Sequence, residues 1–180
     1  MKVLILVGSL RGASFSRKIA EAATKMTPDG MSFEITDGRD LPLYDQDLDA
    51  EEKPVAVQTL LDQVSTADGL LFITPEFNYG IPGPLKNLID WASRPAYRSP
   101  LKNRPSTIVS LSISPTGGAR AHIQLSSVLA GTLTPVFNAP GFSISAVHEK
   151  FDEQGTLIDE TTRKRLTRML TDFKAWAESV

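Results

Sequence analysis

Apolar residues gather into short unbroken runs at positions 3–7, 70–74, 107–113 and 142–146, with a weaker run at 32–36. These runs are rich in Val, Ile, Leu and Phe and are bounded by Gly or Pro. Runs that are apolar at every residue, rather than at alternate ones, predict strands of a parallel sheet covered on both faces. Between them the apolar residues recur with helical spacing. Ser14 or Ser16 caps a first helix that runs to about Met26. A second follows Pro54 and carries Val57, Leu60, Leu61 and Val64. A third starts near Pro82, places Leu85, Leu88, Ile89 and Ala92 on one face, and stops at Pro95. Asp90 and Arg94 form an i,i+4 pair on its outer side. A fourth runs from about Arg120 to Leu133. The last spans Glu160 to about Glu178, with Leu166, Met169, Leu170, Phe173 and Ala177 inward.

Strands alternating with helices predict a doubly wound α/β fold. Right-handed crossovers leave few strand orders, and for five strands 2-1-3-4-5 is the natural one. The expected architecture is a flavodoxin-like three-layer α/β/α sandwich with a five-stranded parallel sheet. Neither an internal repeat nor a linker divides the chain, so residues 1–180 are expected to form one domain. In such sheets ligands sit beyond the carboxyl ends of the strands, at the switch point. The loops after strands one, three and four therefore carry the functional reading.

Composition narrows it. The chain is 41% hydrophobic and 22% charged with a net charge of −2, an ordinary globular balance without the basic excess of a nucleic-acid binder. The densest basic run, Arg163, Lys164, Arg165 and Arg168, lies on the last helix and reads as a solvated face. There is no cysteine, which removes disulfides, iron–sulfur clusters and thiol chemistry. His122 and His148 are far apart and show no metal-ligand spacing. Any redox chemistry must therefore come from an organic cofactor. The apolar N-terminal run ends at Gly8, too short for a signal peptide or membrane span, and a cytoplasmic location is expected.

The loop after strand one reads GSLRGASFS. Ser9, Ser14 and Ser16 offer hydroxyls, the following helix offers free amides and a positive dipole end, and Arg11 can meet a phosphate with charge-assisted hydrogen bonds. Neither GxxxxGK[ST] nor GxGxxG is present. A terminal phosphate monoester suits the loop, although a serine-rich capped turn explains it equally well. After strand three comes TPEFNYGIPGPLKNLIDWASRP. Pro82 and Pro84 fit a helix start, whereas Glu76, Phe77 and Asn78 offer polar atoms and aromatic surface to a flat ligand. After strand four, Gly117 and Gly118 precede a helix and suggest exposed amides.

These stretches, with DLPLYDQDL and TGGARA, together resemble the NADPH-dependent FMN reductase family, a flavodoxin-like group of bacterial quinone, azo-dye and chromate reductases. The resemblance runs from Val3 to about Ala121. It implies that Ser9, Arg11, Ser14, Phe15 and Ser16 hold the FMN phosphate. It implies that Pro75, Glu76, Phe77 and Asn78 line the ribityl chain and ring edge, and that Gly117 and Gly118, with Ser114 nearby, border the far edge of the ring. Ser16 stands where the family usually has Asn, Phe77 replaces a frequent Tyr, and Gly80 replaces a common Ser, which would enlarge the substrate side.

The resemblance further implies NADPH or NADH as electron donor, a small-molecule electron acceptor, no catalytic side chain, and a homodimer or homotetramer. The DLPLYDQDL stretch and the helix from Pro82 to Arg94 are its candidate interface elements. An electron carrier without NAD(P)H activity and a non-catalytic binding domain remain open at this point. So does the partner of a nucleotide 2′-phosphate, among Arg94, Arg98, Arg104 and Arg120.

Overall fold

The computed structural model describes the backbone of residues 1–180 and the side chains at all positions except 139. Its centre is a parallel five-stranded sheet of order β2-β1-β3-β4-β5. The strands are β1 (Lys2–Val7), β2 (Ser32–Thr36), β3 (Gly69–Pro75), β4 (Ser106–Leu111) and β5 (Val136–Ile144). The crossover helices are α1 (Phe15–Lys25), α2 (Val55–Thr66), α3 (Gly83–Ala92) and α4 (Ala119–Gly131), and α5 (Glu160–Ala177) closes the chain.

The side chains of a strand alternate between faces, and the continuous apolar runs fill both. Val3, Ile5, Val7, Leu71, Ile73 and Val109 pack against Ile19 and Ala23 of α1 and Leu166, Leu170 and Phe173 of α5. Leu4, Leu6, Leu70, Phe72 and Ile108 face the other way, against α2, α3 and α4. The sheet therefore has a core on each side, and its carboxyl ends are the face left for loops.

One of the two expected caps of α1 is selected, and two strand boundaries differ from expectation. Ser14, not Ser16, caps α1, its Oγ accepting from the amide of Arg17 at 3.2 Å. β4 stops at Leu111, because Ser112 to Thr116 fold into a hydroxyl-bonded turn and leave Ile113 66% exposed. β5 starts six residues before the predicted run. Its early part carries Asn138, Pro140 and Gly141, which read as breakers, yet an edge strand tolerates them, and the register shift between Thr107 and Val109 takes up the irregularity. The expected Asp90–Arg94 pair does not form: Asp90 pairs with Lys86 at 2.6 Å, and Arg94 stacks on Tyr44, 4.8 Å from the ring centre.

Candidate functional site

The loop after β1 has few bonds of its own. The amide of Gly8 donates to the carbonyl of Ile73 at 2.8 Å, and the amide of Ser14 to that of Arg11 at 2.9 Å. Ser9, Ser14 and Ser16 are buried against the sheet end. Ser14 Oγ is used as the helix cap, but the buried Ser16 Oγ has no hydrogen-bond partner. Among the described residues, neither Phe15 nor Ser16 donates its amide to another residue, as expected in the first turn of a helix. Arg11 is exposed, its guanidinium 6.0 Å from the Phe15 ring. Two free amides, one orphaned hydroxyl and one guanidinium thus surround the start of α1. Donors of this kind match the acceptor oxygens of a phosphate.

This loop forms one wall of a cleft of about 270 Å³. Pro75, Glu76 and Phe77 form the second wall, and Leu111, Ser112, Ile113 and Val147 the third. Phe77 and Ile113 are 54% and 66% exposed, so the mouth of the cleft is apolar. A larger depression of about 340 Å³ lies beside β2, but its arginines, Arg17 and Arg39, are both engaged by Asp37, and Asp40 adds a second carboxylate. The smaller cleft holds the unsatisfied groups and is the candidate site.

Eight of the twelve residues expected from sequence line the cleft: Ser9, Arg11, Ser14, Phe15, Ser16, Pro75, Glu76 and Phe77. Glu76 has a definite task. Its Oε2 accepts from the amides of Arg120 at 3.0 Å and Ala121 at 3.4 Å, and its Oε1 from Arg120 Nη1 at 3.0 Å. It therefore caps α4, tying the β3 loop to the next crossover rather than closing its own loop. The tip of that loop is a two-residue hairpin, with Phe77 and Gly80 exchanging backbone hydrogen bonds at 2.9 and 3.0 Å. Asn78 and Tyr79 occupy the turn at φ 48° and 68°, as its geometry requires. Asn78 is exposed there and does not reach the cleft wall.

Ser114, Gly117 and Gly118 also stand outside the cleft lining. Ser114 bonds within its own turn, to Ser112 and Thr116. Gly117 and Gly118 are buried at φ 61° and 78°, and a Cβ on Gly118 would lie 2.9 Å from the carbonyl oxygen of Leu111. The pair lets α4 start hard against β4, and the neighbouring Ser112 and Ile113 face the cleft instead. The space beside Gly80 is taken by Gln124, whose Oε1 would sit 2.5 Å from a Cβ there and accepts from the amide of Ile81, so this glycine does not widen the cleft.

Among the arginines weighed for a 2′-phosphate, Arg104 donates to the carbonyls of Ala67 and Ser65, at the opposite end of the sheet. Arg120 adjoins the cleft through Glu76 and covers the Tyr79 ring at 4.3 Å. Sequence reasoning missed Leu111, Ser112, Ile113 and Val147. The first three were read as strand and turn, and Val147 lies in a short 3-10 helix, Val147–Lys150, that carries no motif.

Comparisons with known proteins point the same way. The family model for NADPH-dependent FMN reductases matches residues 1–149. An NAD(P)H-dependent FMN reductase of Pseudomonas aeruginosa is 39% identical over 98% of this chain and 95% of its own. A quinone reductase of Escherichia coli is 38% identical over 100% of this chain and 97% of its own. Among solved structures, the flavoenzyme NAD(P)H:(acceptor) oxidoreductase FerB of Paracoccus denitrificans superposes with a TM-score of 0.87. It is 32% identical and covers 99% of this chain and 97% of that one.

Proposed function

Because the chain belongs to the NADPH-dependent FMN reductase family, we propose that it holds FMN in the cleft between the β1, β3 and β4 loops and uses NAD(P)H to reduce a quinone-type acceptor there. One observation carries the placement. The unsatisfied Ser16 hydroxyl, the free amides of Phe15 and Ser16, and Arg11 converge at one end of a cleft whose other walls are apolar or already bonded.

FMN, when bound, supplies the hydride-accepting and electron-passing chemistry. The chain's own residues bind and orient. Ser9, Arg11, Ser14, Phe15 and Ser16 would take the phosphate, while Pro75, Glu76 and Phe77 would flank the ribityl chain and ring edge. Ser112 and Ile113 would border the far side, in place of the amides of Gly117 and Gly118, with Ser114 and Asn78 acting on loop shape. Glu76 is engaged as the cap of α4, so it holds a wall rather than moving a proton. Phe77 and Ile113 offer a planar, neutral acceptor an apolar mouth.

The same reading makes the assembly a homodimer or homotetramer and places it in the cytoplasm. Leu43, Leu48 and Val55, in and just after the DLPLYDQDL stretch, are exposed apolar residues that a second copy would cover. Among the described residues, no helix is long and apolar enough to cross a membrane. Gel filtration with light scattering and flavin absorbance tests both points: an FMN-loaded dimer or tetramer is expected. A colourless monomer that takes up no added FMN would contradict the reading.

A further inference from the structure

The phosphate loop is gripped from behind by residues that no motif singles out. Asp37, at the carboxyl end of β2, is 6% exposed. Its Oδ2 accepts from Arg17 Nη2 and from Arg39 Nη2, each at 2.8 Å, and its Oδ1 accepts from the amide of Arg39 at 3.2 Å. The same Nη2 of Arg39 also donates to the carbonyl of Leu10 at 3.1 Å. Leu10 lies inside the loop, and Arg17 follows Ser16 at its end.

Asp37 and Arg39 therefore hold both ends of the segment that would surround the phosphate. We propose that they are positioning residues, bracing residues 10–17 in the phosphate-ready shape and so setting the affinity for the phosphate end of FMN. This rests on the FMN reading above.

Three observations favour the brace over a purely local role. The turn after β2 closes by itself, through the amide of Leu41 and the carbonyl of Gly38 at 3.1 Å, and does not need the arginines. Among the described residues, the loop by contrast has only the Ser14–Arg11 turn bond within 9–14, and the Leu10 carbonyl takes its hydrogen bond from Arg39 alone. The cluster also cannot act as a second anion site. Arg17 and Arg39 are offset by Asp37 and by Asp40, which lies close enough to act on Arg39, so no net charge faces the adjoining depression. Its effect is positional: a loop ordered beforehand spares the ordering cost when phosphate binds.

The test compares FMN with riboflavin, which lacks the phosphate, on the full-length chain stripped of flavin and retitrated. Arg39→Ala removes the grip on Leu10 from a half-exposed side chain, and Asp37→Asn weakens both ends. The Kd for FMN is expected to rise about fivefold or more, the scale of a lost hydrogen bond. The Kd for riboflavin is expected to stay within about twofold, because the brace acts on the phosphate end only. A rise shared equally by both flavins would mark a general structural effect and overturn the proposal, as would no change in either. Should Asp37→Asn fold poorly, Arg39→Ala decides. A wild-type chain that binds riboflavin and FMN equally would overturn the phosphate-loop reading, and the brace with it.

Discussion

Arg11 and Ser16 differ in what they contribute to the free protein, which gives each a distinct signature. The Arg11 guanidinium is exposed and makes no ion pair among the described residues, so Arg11→Ala should leave the flavin-free fold intact. It should weaken FMN binding by about 1.5–3 kcal/mol, the worth of a hydrogen bond to a charged group. Ser16 Oγ is buried and unsatisfied in the free chain, which costs stability. Ser16→Ala is therefore expected to keep or slightly raise the Tm of the flavin-free protein while reducing FMN affinity. Thermal melts with and without FMN, set beside fluorescence titrations, read both. A Ser16→Ala chain that melts lower without flavin, or an Arg11→Ala chain with unaltered affinity, would contradict these roles.

At the scale of elements, the starts of α1 and α4 meet the same demand, satisfying their first amides, in different ways. Ser14 caps α1 from within the loop, a local device that the sequence displays. Helix α4 is capped from another crossover, by Glu76 across 44 residues, and the sequence shows no sign of that pairing. Gly117 and Gly118 illustrate the same limit. A glycine pair before a helix announces a turn, but whether its amides face a ligand or its bare backbone packs against β4 depends on neighbours distant in sequence. The approach of Gly118 to Leu111 requires a bare backbone whatever ligand lies nearby, and Gly118→Ala is expected to cost at least about 1–2 kcal/mol for a left-handed alanine. Calorimetry should show a Tm lower by several degrees; an unchanged Tm would mean that the contact with Leu111 yields.

The sheet order was legible because continuous apolar runs and right-handed crossovers are local signals with few solutions. The start of β5 was not, because an edge strand accepts Pro140 and Gly141 where a central strand would not. The first wall of the cleft was legible in the serines and Arg11 of the β1 loop, which line it together. The third wall could not, since Ser112 and Ile113 reach the cleft only because β4 stops at Leu111.

Over the whole molecule, three carboxylates contribute a defined response to acid. Burial pushes the Asp37 carboxyl up, but hydrogen bonds from Arg39 and Arg17 outweigh it and hold it below the ordinary value. Hydrogen bonds from Lys2 and then Gln63 lower Glu34, and those from the Thr162 hydroxyl and amide lower Asp159. Near pH 4, where free carboxyls titrate, the native chain therefore binds fewer protons than the unfolded one. The stability these groups provide is present above that range and lost as the pH falls through their lowered values. Urea midpoints are expected to drop between about pH 5 and pH 3; a level midpoint would contradict the assignment.

The central claim joins one cleft, one flavin and one electron donor. It is tested most directly by following NADPH oxidation in the presence of benzoquinone, with the chain loaded with FMN and with the Arg11→Ala chain at matched, limiting FMN. The account predicts quinone-dependent NADPH consumption by the wild-type chain, and activity in Arg11→Ala that is recovered only as FMN is raised. A flavin-loaded wild-type chain that leaves NADPH unoxidised would contradict it.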